Sequence, residues 1–468
     1  MVRLPRIPRI PRPRLPKVSD LPRVPDLSRI PRIKLPRMNA HWKARLRAQR
    51  AWWRRRLRAL SDGHEVLFPA EGGGVVGVAT LHDSTGTGPR IAVLHATAGS
   101  GHKSAAIALA NALAEQSPDA MVREVDTLLF TSRLYRTSYS QGYIAVSSRA
   151  PQLWGTIYAL SEQQRLVRAL APGREAFDRL SLRRLLRVVD REKPDAIVCT
   201  HFLPVEALWP RRRANKLPVP LYVVITDFTA NPVWIYPHVD RYFVASEQTA
   251  EELHELGVPR ERIEVTGIPV DPRFGRTIGR EAARARFGLN AKGPVALVMG
   301  GGSGVGPMAE LADKLIGLPM APEVVVVCGT NEKLRVQLEE SAAARTGRLK
   351  ALGFTHEVDA LLEAADVVVS KAGGLTCSEA LIKRTPLVVF RPTPGQEVRN
   401  AQYLESGGAA VHASSVEDVA LTVERWLADP AARERVRENA GRLAHPDAAA
   451  DIARRVLETI GSKRRNGR

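Results

Sequence analysis

The stretch that decides the fold is Met299-Gly300-Gly301-Gly302-Ser303-Gly304-Val305-Gly306, which continues directly from an apolar run at 295–299. Glycines let backbone amides approach an anion closely, and the start of a following helix adds the positive end of its dipole. The segment lacks the Gly-Lys-Ser/Thr ending of a Walker loop and the glycine spacing of a dinucleotide fingerprint. It predicts a phosphate-binding turn between a strand and a helix; a tight turn without a ligand is the alternative.

Short apolar runs surround this turn in two series, separated by a linker after Pro272. They fall at 91–94, 196–199, 221–225, 295–299, 323–328, 367–370 and 387–390. Apolar strands without alternation are typical of parallel sheets covered by helices on both faces. The series predict an α/β protein with two doubly wound, Rossmann-like domains at 61–275 and 276–445, closed by a helix and basic tail at 446–468. Within the first domain we expect a strand pair at 61–88 and a helix over Ser104–Glu115.

The charge of the chain is concentrated at one end. The net charge is +20 over 468 residues, and residues 1–60 hold 19 lysines and arginines against two acids. Prolines recur through 1–38, which predicts an extended, disordered basic arm. Residues 39–60 predict a helix with Trp42, Trp53 and several leucines on one face and arginines beside them, as in helices that lie in a membrane interface. The alternatives are a solvated linker and a helix docked on the protein itself.

Other bulk features narrow the class of protein. The three cysteines form no CxxC pair, which argues against a zinc site or a disulfide framework and fits a reducing cytosol. No apolar run is long enough for a membrane-spanning helix or a signal peptide, so we expect neither. Leucine, isoleucine and valine between the arginines of the arm favour lipid over nucleic acid. We therefore expect a cytoplasmic protein, peripheral on the inner face of the cell membrane, that binds an anionic lipid surface.

Two further segments follow predicted strands and carry ligand-type side chains. In Ser370–Glu379, Gly373 and Gly374 allow a ligand to come close, and Glu379 can accept two ribose hydroxyls. In Pro392–Asn400, glutamine and glutamate suit the hydroxyls of a sugar. Loops at the carboxyl ends of parallel strands are where α/β sheets bind ligands.

These segments carry a resemblance to a known family. Gly300–Gly306, Gly353-Phe354, Gly373–Glu379 and Gly395–Asn400 resemble the C-terminal domain of the glycosyltransferases that include the peptidoglycan GlcNAc transferase and the galactolipid and glucolipid synthases. The resemblance implies a GT-B fold, with two Rossmann-like domains facing across a cleft. By motif match, Gly302 and Ser303 hold the diphosphate, Phe354 meets the uracil, and Glu379 binds the ribose. The implied donor-binding set is Gly302, Ser303, Gly304, Phe354, Gly373, Gly374, Leu375, Thr376, Glu379, Gln396, Glu397 and Asn400.

The N-terminal half is similar to the lipid branch of that family, the monogalactosyldiacylglycerol synthases and processive diacylglycerol glucosyltransferases. The similarity rests on His95–His102, Thr226–Phe228 with Trp234, Asp240–Val244 and Gly267–Val270. It implies that His102 is the candidate base and Asp227 a second candidate acid or base. Asn231 stands where that branch tends to have histidine. Trp234 lines the entry of the acyl chains or belongs to the core.

The resemblance implies an inverting transfer of galactose or glucose from UDP-galactose or UDP-glucose to 1,2-diacylglycerol. A histidine that titrates near neutrality suits proton removal from the acceptor, and backbone amides with a helix dipole suit the departing UDP. No Asp-x-Asp pair occurs, so no metal is expected. Transfer of GlcNAc to a polyprenyl-linked lipid, UDP-sugar 2-epimerisation and a non-enzymatic membrane scaffold are the alternatives.

Overall fold

The computed structural model describes residues 66–69, 75–79, 88–97, 99–132, 135–136, 139, 151–161 and 182–466. The expected arm at 1–38 and the expected helix at 39–60, with Trp42 and Trp53, lie outside these residues. The chain divides into two compact units, Pro8–Asp83 and the remainder. The described part of the first unit is an antiparallel hairpin of β1 (Val66–Pro69) and β2 (Val75–Ala79). It confirms the expected strand pair.

The larger unit contains two parallel six-stranded sheets. The first is built from β3 (Arg90–His95), β4 (Met121–Asp126), β5 (Ala196–Cys199), β6 (Leu221–Val224), β7 (Arg241–Val244) and β8 (Ile263–Val265). Its strand order is β4-β3-β5-β6-β7-β8. The second is built from β9 (Val295–Met299), β10 (Glu323–Val327), β11 (Leu349–Leu352), β12 (Val367–Ser370), β13 (Leu387–Phe390) and β14 (Ala410–Ala413). Its order is β11-β10-β9-β12-β13-β14.

Helices connect the strands of both sheets. Those described in the N-terminal domain are α1 (Ser100–Gln116), α2 (Pro151–Ser161), α3 (Arg183–Glu192), α4 (Phe202–Arg213) and α5 (Glu247–Glu255). The C-terminal domain continues with α6 (Arg280–Arg286), α7 (Met308–Ile316), α8 (Glu332–Glu339), α9 (Val358–Ala364), α10 (Gly374–Ile382), α11 (Gln396–Ser406), α12 (Val416–Ala428), α13 (Pro430–Leu443) and α14 (Ala448–Asn466). Single 3-10 turns lie at Thr127–Phe130, Pro232–Trp234, Arg260–Arg262, Pro272–Gly275 and Ala344–Thr346.

The apolar strands are buried on both faces, as their composition predicts. All five residues of β9 and all four of β5 are buried. Helices cover these sheets because valine- and leucine-rich strands expose apolar side chains on each side. The predicted fold class is therefore confirmed: both domains are doubly wound.

The last helix returns to the first domain. Ile452 and Val456 of α14 are fully buried in one apolar cluster with Leu109 and Leu113 of α1. The sequence predicts a closing helix and basic tail at 446–468, and in the structure Ile452, Val456 and Ile460 of this segment belong to the N-terminal core. Burial of these side chains contributes roughly 1.5–3 kcal/mol each.

The strand order of each sheet reverses at one point. In the second sheet β9 lies between β10 and β12, so the turns that follow β9 and β12 are neighbours. In the first sheet the loops after β3 and β5 are neighbours in the same way. Ligands of α/β sheets bind outside the carboxyl ends of strands at such points.

Candidate donor and catalytic site

The glycine-rich turn after β9 is shaped to expose backbone amides. Gly301, Gly304 and Gly306 have positive φ angles of 69°, 57° and 130°. Within the described chain, the amides of Gly302 and Ser303 form no backbone hydrogen bond, whereas the amide of Gly304 donates to the Gly301 carbonyl at 3.0 Å. Free amides in a left-handed turn form a concave site for an anion. Gly302 and Ser303 therefore present the donor groups that a diphosphate requires.

The turn after β12 brings the two domains into backbone contact. A Cβ placed on Gly374 would lie 2.0 Å from the carbonyl oxygen of Thr226 in the other domain, so only glycine fits. A Cβ on Gly101, on α1, would come within 3.5 Å of the Leu375 side chain, while Gly373 precedes the helix as its extended N-cap residue. Thr376 is half-buried in the first turn of α10.

Glu379 is a half-buried carboxyl group without a partner. It forms no hydrogen bond or salt bridge to any residue that the structure describes. Desolvation raises its pKa to about 8, against the opposing charge of Arg273, while Asp271 and Asp359 raise it further. A ligand hydroxyl that donates to this carboxyl group would favour its ionised form and lower its pKa.

Phe354 lies just beyond the end of β11 with most of its ring in solvent. The ring is 60% exposed and meets His356 edge-on at 5.0 Å between ring centroids. An exposed aromatic ring at the carboxyl end of a strand offers a flat apolar surface to a base.

The loop after β13 leads into α11, and Glu397 of that helix bonds back to the loop. Glu397 accepts a hydrogen bond from the Thr393 amide at 2.5 Å, and its other oxygen lies 3.8 Å from the Lys371 ammonium group. Gln396 begins the helix after Gly395, whose φ of 96° requires glycine. Asn400 differs from the expected donor contact: it is fully buried and is bonded to the other domain. Its amide is thus engaged by Phe228, Asp227 and Ala372.

His102 lies in the first turn of α1, because the helix begins at Ser100 and not at the expected Ser104. Its Nδ1 lies 2.9 Å from the carbonyl oxygen of Thr200 and 2.8 Å from the hydroxyl of Thr226. A carbonyl oxygen can only accept, so Nδ1 carries the proton and Nε2 carries the lone pair. The Thr200 hydroxyl donates in return to the His102 carbonyl at 2.9 Å. These bonds fix both the ring and its tautomer.

The surroundings of His102 keep the imidazole neutral. Desolvation lowers its pKa to about 4, more than the Thr200 carbonyl raises it, and charge on His95 lowers it further. The buried His201 ring meets it edge-on, with 4.6 Å between ring centroids. Since Ser100 lies against Gly302, with 3.2 Å between its hydroxyl and a Cβ placed on that glycine, His102 occupies the end of α1 nearest the donor turn.

Asp227 lies on the same wall of the cleft, in the loop after β6. Desolvation raises its pKa to about 6; the Asn400 hydrogen bond lowers it, the charge of Glu397 raises it, and that of Arg399 lowers it. The Asn400 amide donates to Asp227 at 3.0 Å.

Trp234 is part of the wall behind His102. Its ring is 5% exposed and lies 6.2 Å from the His102 ring and 5.9 Å from the Phe202 ring, measured between centroids. It is therefore a core residue of the cleft wall. Asn231 caps the short helix that contains it and also donates to the Ser161 hydroxyl at 3.1 Å.

The sequence motifs do not mark Thr200, His201 or Arg399, and they include Thr226 only within the Thr226–Phe228 segment. Thr200 and His201 follow β5 directly, at the reversal point of the first sheet, and that position is a usable signal. Nothing local marks Arg399, whose partners lie in the other domain.

The described residues hold no group of three or more His, Cys, Asp or Glu side chains arranged to bind a metal ion. None of their helices is long and apolar enough to cross a membrane.

Solved structures with the same architecture identify the fold. MurG of Acinetobacter baumannii is 17% identical and matches 79% of this chain and 100% of its own, with a TM-score of 0.50. The S. aureus MnaA–UDP co-structure is 14% identical over 78% of this chain and 95% of its own, with a TM-score of 0.52. At these identities the likeness concerns the fold, and the fold is GT-B.

Sequence relatives narrow the class to a family. The model of monogalactosyldiacylglycerol synthase matches residues 102–270, and that of glycosyl transferases group 1 matches residues 309–443. Processive diacylglycerol beta-glucosyltransferases from Bacillus cytotoxicus and Bacillus cereus are each 33% identical. The alignments cover 59% and 60% of this chain, and 71% of each relative. The protein is a UDP-sugar-dependent hexosyltransferase. It belongs to the family of monogalactosyldiacylglycerol synthases and processive diacylglycerol glucosyltransferases.

The glycine turn predicts a difference between two alanine substitutions. Gly304→Ala would place a Cβ 1.9 Å from the Cys328 carbonyl oxygen at a φ of 57°, whereas a Cβ on Gly301, at a φ of 69°, meets nothing within 4 Å. Both variants lose about 1–2 kcal/mol from the left-handed backbone. Only Gly304→Ala adds overpacking, about 1–3 kcal/mol. Urea unfolding should show this extra loss of unfolding free energy; equal losses would contradict the packing argument.

The free carboxyl group of Glu379 predicts pH-dependent UDP binding. If the ribose hydroxyls donate to this group, binding favours its ionised form, so its pKa must fall from about 8 on binding. Affinity should therefore increase with pH up to about 8, by at most about tenfold per unit, and level off above it. Isothermal titration calorimetry of wild type and Glu379→Gln measures this. The glutamine variant retains the nucleotide's own titration, so identical slopes in the two proteins would disprove the contact.

Proposed function

We propose that the protein transfers glucose or galactose from the UDP-sugar to 1,2-diacylglycerol, with inversion at the anomeric carbon. The acceptor class is supported by the names of the relatives, which are diacylglycerol glucosyltransferases. The observation that carries the mechanism is the fixed tautomer of His102, whose Nδ1 donates to the Thr200 carbonyl at 2.9 Å. An imidazole held this way has one free lone pair, on Nε2, for a single proton.

The proposed reaction is one displacement. Nε2 of His102 takes the proton of the acceptor hydroxyl while the hydroxyl oxygen bonds to the anomeric carbon of the donor. The bond between that carbon and the diphosphate oxygen breaks, and UDP leaves with the electron pair. The amides of Gly302 and Ser303, near the start of α7, stabilise the charge that develops on the diphosphate. Attack opposite to the leaving group inverts the anomeric centre.

The donor contacts complete the proposal. Gly302, Ser303 and Gly304 shape the diphosphate site, and Phe354 offers its exposed ring to the uracil. Glu379 accepts the ribose hydroxyls. Gln396 and Glu397, in the first turn of α11, contact the sugar, and the segment from Gly373 to Thr376 forms the floor of the site. These assignments are supported by the position of each group at the carboxyl ends of β9, β11, β12 and β13.

The direct test supplies labelled UDP-glucose, UDP-galactose or UDP-GlcNAc with diacylglycerol vesicles, and measures label in the organic phase. We expect glycolipid from glucose or galactose, and a loss of about a hundredfold or more in kcat for His102→Ala, because an acid–base group contributes at least that much. The variant should still bind UDP. Absence of lipid-soluble label with every donor would reject the function; label from UDP-GlcNAc alone would reject the proposed donor.

The same assay separates the two candidate bases by pH. The pKa of His102 is lowered to about 4 and that of Asp227 is raised to about 6. A base works when it has lost its proton, so activity falls as pH drops through its pKa. With His102 as the base, the pH profile of kcat/KM shows no acidic fall near pH 6. The acidic fall that it does show is not shifted by Asp227→Asn. A limb near 6 that Asp227→Asn removes would transfer the role to Asp227 and contradict our assignment.

We further propose that residues 1–60 hold the enzyme on the inner face of the cell membrane. The support is their composition, with 19 basic residues and two acids. Each basic side chain near an anionic surface contributes about 1 kcal/mol, and this attraction is screened by salt.

Deletion of residues 1–60 should abolish sedimentation with phosphatidylglycerol vesicles at low salt and leave UDP binding intact. The double substitution Trp42→Ala and Trp53→Ala keeps every charge and is the matched control for the apolar face. We expect the double substitution to weaken vesicle binding by removing apolar contacts. High salt weakens binding by a different route, because it screens the basic residues that this variant retains. Undiminished sedimentation of the deletion variant would refute the tether.

A further inference from the structure

Asn400 is a buried amide from the C-terminal domain whose polar atoms are bonded mainly to the other domain. Its oxygen accepts from the Phe228 amide at 2.9 Å. Its nitrogen donates to the Asp227 carboxylate and to the Ala372 carbonyl, both at 3.0 Å. The side chain is fully buried. Both of its hydrogens are thus engaged, and one amide links the donor-side turn to the loop after β6.

Arg399, the preceding residue of α11, holds the same loop further along. Its guanidinium group pairs with Glu252 at 3.0 Å and donates to the Ala230 carbonyl at 3.3 Å. Glu252 also accepts from the Ala230 amide at 2.8 Å. Two adjacent side chains of α11 therefore bond to the loop at 226–231, one near each of its ends.

That loop carries the groups closest to the proposed chemistry. The Thr226 hydroxyl contacts Nδ1 of His102 at 2.8 Å, and its carbonyl oxygen faces Gly374 at a distance that excludes any side chain. Asp227 is the next residue. The helix that grips the loop begins with Gln396 and Glu397, which we propose as contacts of the donor sugar. One rigid helix therefore joins the donor sugar site to the groups around the base.

We propose that Asn400 is a positioning residue that, together with Arg399, forms a clasp between the domains and aligns Asp227 and the Thr226–His102 pair when the cleft closes. The clasp rests on the proposed function for the roles of His102 and Asp227. The contacts of Asn400 are directional and lie at 2.9–3.0 Å from a fully buried side chain, and those of the half-buried Arg399 add an ion pair with Glu252. Closure of two domains around a ligand commonly completes a catalytic site in this manner.

A residue that merely fills space would behave differently on substitution. Loss of a packing residue lowers the melting temperature and weakens donor binding and turnover together. Loss of a positioning residue lowers kcat while UDP affinity persists, because the UDP contacts belong to the C-terminal domain. The two roles are therefore separable by measurement.

The test compares Asn400→Ala and Arg399→Gln with Asn439→Ala in the full chain. Asn439 donates to the Gly408 carbonyl at 3.0 Å within the C-terminal domain, outside the cleft, and serves as the matched control. We expect Asn400→Ala to lower kcat by about ten- to a hundredfold, the effect of losing a hydrogen bond to a charged group. UDP affinity should stay as in wild type. Arg399→Gln should also lower kcat and leave UDP affinity unchanged. Because Arg399 is half-buried, this variant serves as the test if Asn400→Ala fails to fold.

A double-mutant cycle asks whether Asn400 acts through Asp227. The kcat effect of Asn400→Ala should shrink when Asp227 is already alanine, because the two side chains are in contact. Additive effects, an unchanged kcat, or equal losses of kcat and UDP affinity would overturn the clasp. Wild type that makes no glycolipid would instead reject the proposed function.

A distance measurement tests the clasp without reference to turnover. The three native cysteines are buried, so spin labels can be directed to the exposed positions of Ile107→Cys and Leu421→Cys, one in each domain. With UDP bound, double electron–electron resonance should give a narrow distance distribution in an otherwise wild-type chain. Added Asn400→Ala should broaden it, and added Asn439→Ala should not. Identical distributions in all three proteins would overturn the proposal.

Discussion

The approach of Gly374 to the Thr226 carbonyl is the constraint on which the cleft depends. A methyl group at this glycine would lie 2.0 Å from that oxygen, so the two backbones meet without a side chain between them. Each backbone belongs to a loop at the carboxyl end of a sheet. Because the Thr226 hydroxyl also contacts Nδ1 of His102 at 2.8 Å, the contact brings the turn after β12 close to the histidine of the other domain. A bulkier residue at 374 would separate them.

Desolvation in this cleft acts on three ionisable groups and changes each in the direction its charge requires. It lowers the pKa of His102 to about 4 and raises those of Asp227 and Glu379 to about 6 and 8. At neutral pH the histidine is thus a neutral acceptor of a proton, and Glu379 is largely a neutral carboxyl group. Hydrogen bonds decide the rest: Asp227 receives one from Asn400, whereas Glu379 receives none from the described residues. One physical cause, desolvation, thus favours the uncharged form of all three groups.

Local sequence pattern locates the strand-to-helix turns of the C-terminal domain, but it does not reveal the contacts between the domains, and the reason is the range of these contacts. The glycine turn and the Gly373–Glu379 segment each follow a strand directly, so local pattern and sheet geometry place them. Asn400 looked like a donor contact because it closes a sugar-binding motif, yet its partner Asp227 is 173 positions away. No local pattern encodes such a pairing. The sequence predicts the start of α1 at Ser104 and not at Ser100, because glycines at its first turn weaken the helix pattern.

Asn231, in the wall of the cleft behind His102, differs from the residue that the family resemblance leads one to expect. Asn231 stands where histidine is common in the lipid branch, and it is buried with its amide committed to the Val233 amide and the Ser161 hydroxyl. It therefore acts on structure, by joining α2 to the loop before Trp234. Because α2 also lies against Gly395, where a Cβ would meet the Tyr158 ring at 2.4 Å, this amide connects the acceptor wall to the start of α11. The acceptor side of the cleft is thus anchored to the donor side a second time, through α2.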